Sequence, residues 1–346
     1  MMPATHSRLG NNVPRKADAL WLGLMLLSLP FAGAPLHAAN LVSEPVGCVR
    51  VVIPAPATGE TTRKVVGIPF NRASVFRGIV TSVSGSTIKA GTPAWTSGQF
   101  VSAVHYLKFR TGPNVGRYFT VTANTADTLT VSAPGVAIAE NQAFEIFPAQ
   151  TLGSLFGTTS VALQTGSDEA SADLVRIQNG TVWNTYFHTG TQWQISGGTS
   201  SQNGAVIRPE QGIIVVARGI APVSLALRGS VSITSESSVI PGTGEGLVAN
   251  RLPFDTTLSA LKIQSLPGWT KGASASVADN LMRWNGTSWN VYYHTGARWQ
   301  MAGSQTSQDG ASLPAGESLL IRRRDGSTAS AAFLDTAAPF AYTLSE

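Results

Sequence analysis

The chain has 346 residues, of which 43% are hydrophobic and only 12% charged, with 24 Lys and Arg against 19 Asp and Glu. So small a charge excess excludes a dense polycation of the kind that coats nucleic acid, and a single cysteine excludes an intrachain disulfide framework. Gly, Ser and Thr abound, no stretch keeps a long helical period, and the length suffices for two or three cores, so the composition predicts an all-β, multi-domain protein.

Residues 1–39 read as a secretory signal peptide. Arg8, Arg15 and Lys16 form a basic start, residues 19–29 an apolar stretch ended by Pro30, and small residues lead to a cleavage point after Ala38 or Ala39. The apolar core is too short to span a ~30 Å hydrocarbon layer as a helix. This predicts export, to the periplasm, the outer surface or the extracellular space, with no transmembrane segment after cleavage. The mature chain keeps 21 basic and 18 acidic residues, and nucleic acid is not an expected partner.

Residues 40–150 predict an N-terminal β domain, a small barrel or sandwich. Its candidate strands are 48–55, 64–70, 75–83, 105–111, 117–123, 127–133 and 143–149, with 117–133 read as a hairpin. Cys48 lies in an apolar run, GCVRVVIP, and reads as a small buried core residue. Residues 151–157 predict a short helix, with Thr151 as N-cap and Gly157 as its stop, and 256–263 is a parallel segment. A β module at 151–234 follows, then a polar, Gly- and Pro-punctuated linker at 235–246, and a second β module at 247–346.

The two modules share a repeat. Residues 172–204 align without a gap with 278–310, at an offset of 106, with 17 identities in 33 positions. Each copy predicts a three-stranded antiparallel meander with turns at Asn179-Gly180 and Thr189-Gly190, or at Asn285-Gly286 and Thr295-Gly296. Alternation divides the middle strand into two faces. Trp183, Thr185 and Phe187, matched by Trp289, Val291 and Tyr293, read as the core face. The opposite face carries Asn184, Tyr186 and His188, matched by Asn290, Tyr292 and His294. Amide, phenol and imidazole there are the nearest thing to a ligand-binding set, with the tyrosine ring able to stack on a sugar. The bland counterpart is a solvated sheet face whose likeness between copies reflects common descent. The turn length leaves open which face Trp284 takes.

Catalytic and metal motifs are missing from the sequence: HExxH, EF-hand, P-loop and GxSxG do not occur, and no cofactor is implied. Asp168, Glu169 and Asp173 read as loop residues, and Asp255 as a turn or cap. A hydrolase would need two carboxylates converging from distant positions. Arg322, Arg323 and Arg324, after the strand-like SLLI, read as a solvated strand end.

The order EPVGCVRVVIPA, VVGIPF, FRGIV, YLKFRTGPNVGRYFTVTANTADTLTV and TLGSLFG, continuing through the tryptophan-bearing meanders and LPFDTTL, resembles an uncharacterised family of exported proteins found mainly in verrucomicrobial bacteria. Its members commonly carry an aromatic residue at the position of Cys48, which implies a core role there. The family brings no activity and no site residues. The expectation is a non-enzymatic structural or interaction protein of the cell envelope or extracellular space, with polysaccharide or envelope proteins as partners. Carbohydrate binding through the two Asn–Tyr–His faces is the alternative.

Overall fold

The computed structural model describes residues 45–132, 135–324 and 332–338. The predicted signal peptide lies outside the described residues. Strands dominate, and the helix at Leu152–Phe156 forms as its sequence predicts. Thr151 Oγ1 accepts from the Ser154 N–H, Ser154 Oγ accepts from the Thr151 N–H, and Gly157 ends the helix at φ 98°. The parallel segment instead forms turns and a 3₁₀ helix, Ile263–Ser265.

Six strands close into a barrel: Phe76–Ser84, Thr87–Ala90, Thr128–Val131, Tyr118–Asn124, His105–Phe109 and Ala143–Pro148, in that spatial order. Alternation along them places Leu107, Phe109, Phe144 and Ile146 inside, where they pack with Phe100 and Leu129. Tyr106, Lys108, Glu145 and Phe147 therefore point outward, toward the rest of the molecule.

The first two strands do not join the barrel, which corrects the expected boundary at 150. Val46–Ile53 pairs with Val223–Ser230, and Thr62–Val66 pairs with Ile213–Ala217. The first module is thus a five-stranded sheet whose edge strand, Thr62–Val66, comes from before the barrel, followed spatially by Ile213–Ala217, Leu174–Asn179, Val182–His188 and Trp193–Ile195. The second module repeats this order with Gly244–Ala249, Ser318–Arg323, Asn280–Trp284, Trp289–His294 and Trp299–Met301.

The register makes the repetition longer than the sequence repeat. Val66 faces Ile213 just as Val248 faces Leu319, and Gln150–Thr151 pairs with Val206–Ile207 just as Thr256–Thr257 pairs with Ser312–Leu313. The barrel is an insertion into the first module, at the point where the second runs on directly.

The segment expected as a linker is also structured. Glu236–Ile240 pairs with Ala332–Thr336, and Gly244 turns the chain at φ 74° into the next strand. Its polarity has a physical reason: Glu236, Ser237 and Ser238 are buried, and Ser237 Oγ donates to Asp335 Oδ1 at 2.6 Å.

Each sheet covers one core with its inner face. Val51, Val175, Ile177, Tyr186, Trp193, Ile213 and Val215 belong to the first, and Leu281, Tyr292, Trp299, Leu319 and Ile321 to the second. The outer faces meet each other through Val65 and Ile214 on one side and Leu247, Met282, Leu320, Trp284 and Trp289 on the other. This contact is reciprocal. The Gly67 N–H donates to the Gly316 carbonyl (2.9 Å), and at the equivalent positions the Ala249 N–H donates to the Glu210 carbonyl (2.8 Å). The duplicated modules pack as an internal pair, in the way identical subunits do around a two-fold axis.

Candidate functional site

The predicted ligand-binding face is the core face. Tyr186 is 7% exposed and Tyr292 5%, each among the apolar residues of its own module. His188 and His294 are buried as well, while Asn184 and Asn290 are half-buried. The structure brings each trio together along one strand but offers it to no solvent-filled space, so the face assignment is inverted. Trp183, expected in the core, is 36% exposed, and Trp289 sits half-buried at the contact between modules. The register resolves Trp284: it lies opposite Trp289 on the outer side, and its Nε1–H donates to the Arg63 carbonyl at 3.1 Å.

The inversion also explains why the copies agree. In each, the histidine Nδ1 accepts the N–H of the glycine two residues on, Gly190 or Gly296, at 3.0 Å, tying down the hairpin turn. The imidazole then meets the buried indole of Trp193 or Trp299 edge to face, with centroids 5.3 Å apart in both copies. His188 Nε2–H donates to the Thr158 carbonyl at 3.0 Å, so the imidazole is neutral with its proton on Nε2. Burial, with Lys271 nearby, holds His294 below its ordinary value against the pull of Asp309. A neutral, hydrogen-bonded imidazole on a tryptophan edge is packing chemistry.

A second repeated device was hidden in what reads as a loop. Asp173 is buried and accepts from the backbone N–H of Gln164 (2.8 Å) and Arg218 (2.6 Å). Asp279 does the same for Thr270 (2.8 Å) and Arg324 (2.7 Å). Arg323, expected in solvent, is buried against Asp279 at 2.9 Å, because its strand passes directly over that carboxylate. The aspartate shared by both copies, followed by strand residues, was the available signal. Asp255, expected as a turn or cap residue, instead reaches a distant segment, accepting from the Ala315 N–H at 3.0 Å.

Cys48 requires a correction too: it is exposed. It sits opposite Arg228 on the outer side of a two-stranded ribbon, and Val49 and Val51 take the inward positions.

Buried charge concentrates where the barrel meets the modules. Lys108 Nζ lies 2.8 Å from both Glu145 Oε1 and Glu236 Oε1, and Glu236 also holds Arg251, which bonds Asn71 Oδ1 at 3.2 Å. Burial works against the charged lysine, but Glu236 and Glu145 outweigh it and hold Lys108 above its ordinary value. The Tyr118 hydroxyl donates to Glu210, and burial together with that carboxylate pushes Tyr118 well up.

A roomy concavity, a cleft of about 1010 Å³, lies where the barrel enters the first module. Arg72, Arg77 and Arg228 line it, and no carboxylate does among the described residues. Among the described residues Arg228 makes no ion pair, and Arg72 Nη1 reaches the Ala149 carbonyl at 3.5 Å. Arg77 lies 3.6 Å from Glu145 Oε2; burial and the neighbouring Arg110 lower its affinity for its proton. Val46, Val75 and Phe76 supply an apolar floor, with Gln150, Ser154 and Ser230 around it.

Among the described residues no group of His, Cys, Asp or Glu could hold a metal ion, and no helix is long and apolar enough to cross a membrane. The chain matches no protein-family model, no curated protein and no solved structure.

Proposed function

We propose that this is an exported structural or interaction protein of the cell envelope or extracellular space, acting through its surface. The observation that carries this reading is where the buried charges are spent. Lys108, Glu145, Glu236 and Arg251 join the barrel to the modules, Glu210 takes Tyr118 and Arg208, Asp279 takes Arg323, and Glu317 takes Arg283. Each of these buried carboxylates is engaged in holding elements together. Carbohydrate recognition by Asn184, Tyr186, His188, Asn290, Tyr292 and His294 is set aside, since a sugar cannot reach tyrosines packed inside two cores.

The test is fractionation of the producing cells with N-terminal sequencing of the product. Protein outside the cytoplasm that begins just after Ala38 or Ala39 is the expected outcome. A cytoplasmic pool that keeps its N-terminus would overturn the reading.

A further inference from the structure

The exposed cleft at the barrel's insertion point has the composition of a binding site that nothing else in the fold uses. Three guanidinium groups border it, and two of them, Arg72 and Arg228, have no carboxylate partner among the described residues. Arg77 and Arg110 both lie near Glu145 Oε2, at 3.6 and 3.8 Å, so the unbalanced positive charge in the lining is that of Arg72 and Arg228. An arginine fork matches a planar carboxylate or a sulfate ester and exchanges paired hydrogen bonds with it.

The rest of the lining narrows the ligand. At about 1010 Å³ the cleft exceeds what a single small anion fills. Val46 and Val75, exposed apolar side chains at 78% and 53%, share the lining with the arginines. Such a floor suits the CH face of a sugar ring, while Gln150, Ser154 and Ser230 suit hydroxyl groups. Single-stranded nucleic acid would instead require aromatic platforms for its bases. The one ring in the lining, Phe76, is held edge-on against Trp95 at 4.8 Å.

We propose that the cleft binds an acidic glycan, a polysaccharide segment bearing carboxylate or sulfate groups, held by Arg72, Arg77 and Arg228 over an apolar floor. The site is distinct from the repeated Asn–Tyr–His faces, and it rests on the surface-contact reading only in needing the cleft to be open to polymer.

The experiment titrates the mature full-length protein with oligogalacturonate, dextran sulfate, neutral dextran and single-stranded DNA. Binding of at least one acidic glycan is expected, weakening as salt rises. The Arg72→Ala plus Arg228→Ala double variant should weaken it about tenfold or more, since each removes a charge-assisted pair. The Arg72→Lys plus Arg228→Lys variant should lose less, keeping charge without the fork. Both arginines are exposed, so an unchanged denaturation midpoint verifies the fold. Failure of both acidic glycans to bind, binding indifferent to the double alanine variant, equal binding of neutral dextran, or DNA binding as tight as the glycan would each overturn the proposal. None of these outcomes bears on where the cell sends the protein, which fractionation decides.

Discussion

At the residue scale, the two copies agree in packing yet differ in one hydrogen bond. Trp193 and Trp299 are both fully buried, each under its histidine. The Trp193 indole N–H donates to the Gly157 carbonyl at 2.9 Å, whereas the Trp299 indole N–H is buried with no partner among the described residues. Phenylalanine substitutions therefore separate the two terms. Trp299→Phe loses ring volume alone, while Trp193→Phe also strands a carbonyl, so it should cost about 1 kcal/mol more. Urea midpoints of the two variants check this, and equal or reversed losses would count against the assigned role of the Gly157 contact. Alanine at either position should cost about 3–5 kcal/mol, since the cavity lies at the centre of a core.

Elements explain how much of this fold was legible beforehand. The cap and stop of Leu152–Phe156 depend on adjacent residues, and so do the glycine turns, with Gly180 at φ 61° and Gly286 at φ 110°. The barrel hairpin at 117–133 was readable for the same reason. The face assignment is inverted because alternation separates two sides without saying which is inward, and here the outer side too carries buried apolar residues, Phe187 in the first module and Met282 in the second. Counting aromatic bulk favoured Trp183 and Phe187, yet Tyr186 and His188 face the core, since a phenol and an imidazole can be buried once bonded. The pairing of Thr62–Val66 with Ile213–Ala217 was invisible because the whole barrel separates them. Close approach between modules gives an element-scale prediction. A Cβ on Gly67 would lie 2.3 Å from the Glu317 carbonyl oxygen, which is backbone and cannot swing aside. Gly67→Ala should destabilise by about 1–3 kcal/mol and expose the contact between modules to proteolysis. Gly310→Ala, with nothing within 4 Å of the added carbon, is the control. Matching behaviour of the two would refute the interface as drawn.

At the scale of the whole molecule, the two modules meet through apolar residues, while buried charges lie where the barrel meets them. Glu145 and Glu236 sit below their ordinary values: burial alone would push both up, and Lys108 for the first, Arg251 and then Lys108 for the second, outweigh it. A carboxylate lowered in the folded state contributes stability that is complete above its unfolded value and lost as pH falls through the folded one. With unfolded glutamate near pH 4.3, the loss begins below about pH 5. Lys108 is raised, so its share is complete below the ordinary lysine range and is lost only as pH rises beyond it. The barrel should therefore stay docked from weakly acidic to alkaline conditions and loosen in acid, before its own apolar core gives way. Lys108→Met should cost about 3–5 kcal/mol, because it leaves Glu145 and Glu236 buried with less opposing charge. It should also move the acid limb to higher pH, as those carboxylates would then hold their protons more readily. Denaturation midpoints of wild type and variant, measured from about pH 3 to 8, decide the matter. A wild-type midpoint flat across that range, or a variant whose acid limb stays in place, would mean that the buried network does not govern how the barrel is held.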